Sequence, residues 1–328
     1  MKIREGRAIG SMMAVSILLL GGCGGSSSND GMGVLNLSIS DSPIKDAAKV
    51  CVKFDGVQLK KADTEPPFDI DFADPVVINL LANQGAVSET LVSTEVEAGN
   101  YQWIRLKVDA VRGNNAGTGD PTPTDPTCND TENGSYLVTD GGSVFNLWVP
   151  SGDQTGLKLI KDITVPANRS GNYTAEWDLG MSFVGPPGLG TGEAIMKPVV
   201  KLVANNEVGT LNGTVADGLI SPNPADPAIC DAENGFGPTI YVFDDNGVGD
   251  DPVNGDDGTI EPVATGLVGQ DMQGMPYSYE IGFLLAGNYE VAFTCKGENF
   301  IPANGKGATI AEGGFEEIHF TAEDLPST

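Results

Sequence analysis

Ala98-Gly99-Asn100-Tyr101, with the strand it opens toward Val111, returns as Ala286-Gly287-Asn288-Tyr289 ahead of Glu290–Lys296, and more loosely as Ser170-Gly171-Asn172-Tyr173. Gly and Asn tolerate the backbone of a tight turn, and Tyr suits the first position of a half-buried strand. The recurring unit is a turn feeding a strand. Its return in the far half of the chain predicts two β-domains, each organised around one copy.

Working outward from the first copy, Ile104, Leu106, Val108 and Ala110 share one strand face, and Tyr101, Trp103, Arg105, Lys107 and Asp109 the other. Leu35, Leu37 and Ile39 alternate with Asn36, Ser38 and Ser40, the period-2 mark of a strand with one buried side. Val50, Val52 and Phe54 repeat it and are followed by Val57 and Leu59. Pro75–Leu81 is an apolar run, Gly85–Val96 reads as a looser connection, and Gly113–Gly134 as a long polar excursion. Strands resume at Tyr136–Thr139, Ser143–Val149, Leu157–Val165, Asn172–Phe183 and Ile195–Ala204. Without an amphipathic helix among them, they predict a β-sandwich over residues 33–205. Beyond it, Val208–Val215, Thr239–Asp244, Thr259–Val268, Tyr277–Leu284, Asn288–Cys295, Ala308–Ala311 and Phe315–Thr321 predict a smaller sandwich over residues 206–328.

Length and composition agree with this plan. A chain of 328 residues suits two domains, and 40% hydrophobic residues supply real cores. A net charge of −27 argues against nucleic acid, whose phosphates call for Lys and Arg. The acidity reads as a solubilising surface or as a means of holding cations.

The N-terminus carries an address. Lys2, Arg4 and Arg7 precede an apolar stretch, Met12–Leu20, that is too short to span a bilayer. Leu20-Gly21-Gly22-Cys23 then resembles a bacterial lipobox, in which the cysteine becomes the lipidated first residue of the mature chain. That resemblance implies a signal peptide over residues 1–22, lipidation of Cys23 and a membrane partner reached through the anchor. Gly24 in place of Asp after the cysteine implies outer-membrane sorting. Residues 23–32 read as a flexible tether with a reach of about 18 Å.

Four segments in fixed order carry a second resemblance. They are Leu37-Ser38-Ile39-Ser40-Asp41-Ser42-Pro43, the Ala98–Tyr101 turn with Ile104-Arg105-Leu106, Val149–Leu159, and Lys197-Pro198-Val199. Together they resemble the family called domain of unknown function 4382, found in bacterial and archaeal secreted lipoproteins. The resemblance covers about half of the chain and implies a β-fold and an envelope location, with no catalytic residues to carry over. Thr210–Val215 and Leu284–Tyr289 resemble the transthyretin-like or carboxypeptidase-regulatory-like modules, which serve as spacers or binding appendages. The expected architecture is therefore all-β: two sandwiches of immunoglobulin or prealbumin type in tandem behind a lipoprotein signal peptide.

Setting Cys23 aside, Cys51 and Cys128 fall in the first domain and Cys230 and Cys295 in the second. Outside the cytoplasm that parity predicts one intradomain disulfide each. The chemistry of catalysis is sparse. The single histidine, His319, alternates onto the solvent side of the last strand, so no Ser-His-Asp or Cys-His site is expected and no enzyme is predicted.

Two constellations remain. Trp103 and Trp148 each point away from a core face and could form a stacking platform for sugars. In the run from Asp244 to Glu261, Asp244, Asn246, Asp250, Asn254, Asp256 and Glu261 interleave hard oxygens with glycine, as a Ca²⁺ loop requires. Pro252 and the flanking strands exclude an EF-hand, leaving a β-domain calcium loop or a solvated acidic hairpin. The sequence thus predicts a non-catalytic binding or structural module of the bacterial envelope, with an unknown envelope protein or polysaccharide as partner. The alternative is an accessory protein or enzyme acting on envelope polysaccharide, with Trp103 and Trp148 as sugar contacts.

Overall fold

In a computed structural model, residues 31–42, 44, 47–61, 65–110, 128, 134–150, 156–183, 193–220, 238–244, 262–269, 276–294 and 305–324 are described. The alternation at Leu35, Leu37 and Ile39 becomes β1 (Met32–Ser42), with all three side chains fully buried. The shift from Val50-Val52-Phe54 to Val57-Leu59 has a backbone cause. β2 (Ala47–Lys60) is irregular between Phe54 and Gly56, and one extra residue flips the parity so that both sets face the core.

Among the described residues of this half follow nine further strands: β3 (Phe68–Asn79), β4 (Glu89–Glu97), β5 (Gly99–Val108), β6 (Tyr136–Thr139), β7 (Val144–Trp148), β8 (Leu157–Val165), β9 (Ser170–Asp178), β10 (Glu193–Ile195) and β11 (Val200–Ala204). One sheet has the order β11-β9-β1-β4; the other runs β10-β7-β6-β2-β5-β8, with β3 on the remaining edge of β2. β5 and β6 lie end to end along the same side of β2, because Phe54 pairs with Val108 and Cys51 with Tyr136. Between the sheets pack Leu35, Leu37, Phe54, Leu106 and Trp177, the last edge-on to Phe54 at 6.5 Å between ring centroids.

The second half contains β12 (Val208–Val215), β13 (Thr239–Asp244), β14 (Ala264–Leu267), β15 (Tyr277–Leu285), β16 (Gly287–Thr294), β17 (Lys306–Ile310) and β18 (Phe315–Glu317). Its sheets are β15-β12-β18 and β14-β13-β16-β17 around Leu211, Ile240, Ile281, Val291 and Phe320.

The two halves follow one path. β12 pairs antiparallel with β15 and parallel with β18, as β1 does with β4 and β9. The antiparallel chain β14-β13-β16-β17 repeats β3-β2-β5-β8. β6, β7, β10 and β11 are additions to this shared seven-strand plan. The Ala-Gly-Asn-Tyr phrase is the corner where the chain crosses between sheets, from β4 to β5 and from β15 to β16.

In both corners the tyrosine hydroxyl donates to the carbonyl four residues upstream: Tyr101 to Glu97 at 2.6 Å, Tyr289 to Leu285 at 2.7 Å. In both, the asparagine Oδ1 accepts from a threonine on the neighbouring strand: Asn100 from Thr164 at 2.9 Å, Asn288 from Thr309 at 3.0 Å. The turns before β9 and β18 also match, with left-handed residues at Asn168 (φ 58°) and Gly313 (φ 63°). Gly33 and Gly209 lie against those turns. A Cβ there would come within 2.4 Å of the Pro166 carbonyl oxygen and 2.5 Å of that of Ala311.

Several boundaries depart from the sequence reading. Glu89–Glu97, read as connection, is a strand, and β3 begins at Phe68 rather than at Pro75. The strand read through Phe183 ends at Asp178 in a helical turn, Leu179–Ser182, and the one read over Ile195–Ala204 divides into β10 and β11.

Candidate functional site

Trp103 and Trp148 do not share a platform. Trp103 lies opposite Lys60 of β2, while Trp148 is two residues past Asn146, whose partner Tyr136 lies opposite Cys51. That places the rings about seven residues apart along β2, on the order of 20 Å at a rise of ~3.3 Å per residue. Trp103 is also only 9% exposed, with the Arg105 guanidinium 4.8 Å and the Lys158 ammonium 4.9 Å from its ring centroid. The ring already holds two cations of its own strand and the next one. Trp148, on β7, is half-buried.

Cys51 and Cys128 form a disulfide. It lies on the outer face of the larger sheet within a small apolar cluster of its own, with Tyr136 and Val138. Cys230 and Cys295 lie outside the described residues, as does Cys23. Of the acidic run only Asp244, exposed at the end of β13, is described, and Asn246, Asp250, Asn254, Asp256 and Glu261 are not. Among the described residues no three His, Cys, Asp or Glu side chains come together as a metal site. His319 is tied to β12: its Nδ1 accepts from the Thr214 backbone N–H at 3.2 Å and lies 2.9 Å from the Thr214 hydroxyl.

Sequence reasoning missed three features. The first is a buried acid. Asp41 continues the core face of Leu35, Leu37 and Ile39 and is 2% exposed; its carboxylate makes no well-formed hydrogen bond among the described residues, the Leu179 backbone N–H being its nearest donor. Burial pushes its pKa well above the ordinary carboxylate range, and the charges of Asp178 and Glu176 push the same way. Across the parallel pair β1–β9 its partner is Trp177, whose buried indole N–H is unpaired among the described residues. The break at Ser40-Asp41-Ser42-Pro43 marked the turn but gave no sign that its carboxyl would turn inward.

The second is the seam between the sandwiches. The loop after β3 reaches β15: the Ala86 backbone N–H donates to Glu280 Oε1 at 2.9 Å, and a Cβ at Gly282 would lie 2.3 Å from the Gly85 carbonyl oxygen. Nearby, Lys201 of β11 donates to the Val263 carbonyl just before β14. Glu176, whose carboxyl is desolvated although the residue as a whole is half-buried, is pushed up to about 8, chiefly by burial, with Lys201 opposing and Asp178 adding.

The third is a cleft of 540 Å³ beside this seam. Its floor is the outer face of β15-β12-β18, and Gln84 and Gly85 of the first sandwich form one wall. Asn212 stands in the middle of the floor, opposite Glu280 of β15 on one side and Glu317 of β18 on the other. The Ser278–Thr214 pair lies one row along. The match between sandwiches makes Asn36 the counterpart of Asn212. There Asn36 Nδ2 donates to Asn172 Oδ1 and Ser93 Oγ donates to Asn36 Oδ1, each at 2.7 Å. The first row is closed on itself; the second is not.

Comparison with known proteins adds a family. The model described as Domain of unknown function (DUF4382) matches residues 32–198. No curated protein matches. Among solved structures, the chain is similar to the Bacillus anthracis TIE protein (9% identity, TM-score 0.19, covering 88% of this chain and 34% of that one). A leucine-rich repeat protein from Bacteroides thetaiotaomicron matches at 11% identity and TM-score 0.20, over 89% of this chain and 27% of that one. A putative adhesin from Bacteroides ovatus matches at 10% identity and TM-score 0.21, over 94% and 99%. The chain thus spans about a third or less of the length of the first two. At such TM-scores these likenesses carry nothing about function.

Proposed function

This chain belongs to the DUF4382 family, and we propose that it is a lipid-anchored, non-catalytic structural or binding module of the bacterial cell envelope, held at the outer membrane through Cys23. The observation that carries this reading is where the tether enters the fold. Residues 23–32 lead directly into β1, which is hydrogen-bonded along nearly its whole length to β4 on one side and to β9 on the other. A pull on the anchor directed along β1 would load both ladders in shear, so that their bonds resist together rather than one by one. An edge strand would peel.

The acidic surface keeps such a module soluble and away from nucleic acid. The run from Asp244 to Glu261 serves in this reading as a Ca²⁺ loop that steadies the second sandwich. Labelled palmitate tests the anchor. Wild type takes up label and is processed, whereas Cys23→Ser accumulates as an unlabelled precursor. Processing and labelling of Cys23→Ser at the wild-type level would overturn the assignment.

A further inference from the structure

The two matched polar rows differ in one respect that has chemical content. In the first sandwich, Ser93, Asn36 and Asn172 satisfy one another across three strands. In the second, the flanking positions are Glu280 and Glu317, and the side chain of Asn212 makes no hydrogen bond among the described residues. This open row lies on the floor of the 540 Å³ cleft, walled by Gln84 and Gly85 from the other sandwich. We propose that the cleft over Asn212, between Glu280 and Glu317, is a binding site for a neutral saccharide. It deepens the binding reading given above, at a place distinct from Trp103 and Trp148.

The lining selects the ligand class. Asn212 and Gln84 each offer an amide donor and an amide acceptor, Ser278 a hydroxyl that does either, and Glu317 a carboxylate that only accepts. A chain of vicinal hydroxyls supplies donors to the carboxylates and matches the amides in both directions. Phosphate, sulfate and uronate are repelled by Glu280 and Glu317, with no Lys or Arg among the described residues lining the cleft to offset them. Leu267 is the aliphatic exception in a polar lining, so there is no pocket of the kind that anchors a peptide by an apolar side chain. Because Gln84 belongs to the first sandwich and the floor to the second, a bound saccharide spans the seam.

Gly269 offers a clean way to close the site. It lines the cleft, and a Cβ added there meets no atom of the described residues within 4 Å, so Gly269→Phe is the variant expected to occupy the cleft. The test is a neutral-glycan array probed with the labelled mature chain, followed by calorimetry with the best neutral hexasaccharide. Wild type binds; Gly269→Phe and Gln84→Ala/Asn212→Ala each bind about tenfold more weakly or worse, the loss of roughly two hydrogen bonds. Trp148→Ala binds as wild type. Absence of binding to every neutral glycan, undiminished binding by both cleft variants, or preference for acidic glycans or peptides would overturn the proposal. Anchoring through Cys23 is read by palmitate labelling, so either conclusion fails without the other.

Discussion

The two sandwiches share a path and differ in what they leave open. Both cross between sheets at an Ala-Gly-Asn-Tyr corner locked by the same tyrosine and asparagine hydrogen bonds. Both turn into their parallel strand through a left-handed residue. These devices involve backbone and a few short side chains, and they fix which strand pairs with which. The outer rows are under no such constraint. In the first sandwich the row closes on itself; in the second two carboxylates replace the partners, and a cleft stands over the gap. The corners share their geometry, and the outer faces differ.

The largest difference to break is covalent. The Cys51–Cys128 bridge, with a sequence separation of 77, ties down the segment that carries β6 and β7, strands without a counterpart among the described residues of the second sandwich. Cys51→Ser/Cys128→Ser should destabilise that sandwich by about 4–5 kcal/mol in the chain-entropy view. All three tryptophans lie in the first half, so their fluorescence follows its unfolding alone, while hydrogen exchange follows the second half. Equal destabilisation of both halves would mean that they unfold as one unit. Non-reducing peptide mapping should pair Cys230 with Cys295; a link between the sandwiches would contradict the division.

Calcium should act in the opposite sense, on the second sandwich. At a concentration one-hundred-fold above its dissociation constant, Ca²⁺ would add about 2.7 kcal/mol to the full chain as read by hydrogen exchange in β13 and β14. Asp250→Asn/Asp256→Asn should abolish the gain. An equal gain from Mg²⁺ at matched ionic strength would mean screening and leave the run Asp244–Glu261 a solvated hairpin.

A smaller effect should come from pH at the first sandwich. Glu176, pushed from 4.5 to about 8, and Asp41, also raised, bind protons more tightly folded than unfolded. Their contribution is therefore complete below the unfolded carboxylate range and is lost as pH climbs toward 8 for Glu176. Tryptophan-detected melting should fall across that window, and Glu176→Gln should flatten the fall. A rise in stability over the same window would contradict the burial of these acids.

The mildest test compares the corners. Tyr101→Phe and Tyr289→Phe each remove one hydroxyl bond to a carbonyl, worth about 1 kcal/mol. Each should weaken its own half by a similar amount. A cost confined to one corner would show that the shared geometry hides different energetics.

Much of this was legible in the chain. The repeated corner announced two sandwiches because its residues act locally, and the buried alternation of β1 and β2 survived even the parity change at Phe54–Gly56. β4 was hidden for the opposite reason. Its pairing with β1 shifts between Leu37 and Ser38, which buries adjacent Leu91 and Val92 and breaks the alternation that marks a strand. The tryptophans failed as a pair because outward direction says nothing about position along the sheet or about which cations arrive from β8. The matched rows were harder still. Leu35-Asn36 and Leu211-Asn212 look alike in sequence, but their partners come from distant strands, and only the pairing shows one closed and the other open.

The side-chain amides of Asn36 and Asn212 test that contrast most directly. In ¹⁵N-resolved NMR spectra of the mature chain, the Asn36 amide protons should exchange slowly and show small temperature coefficients. Those of Asn212 should exchange at the rate of free solvent-facing amides, and should shift when a neutral hexasaccharide that binds the array is added. An Asn212 amide as protected as that of Asn36 in the free protein, and unmoved by the saccharide, would contradict the account.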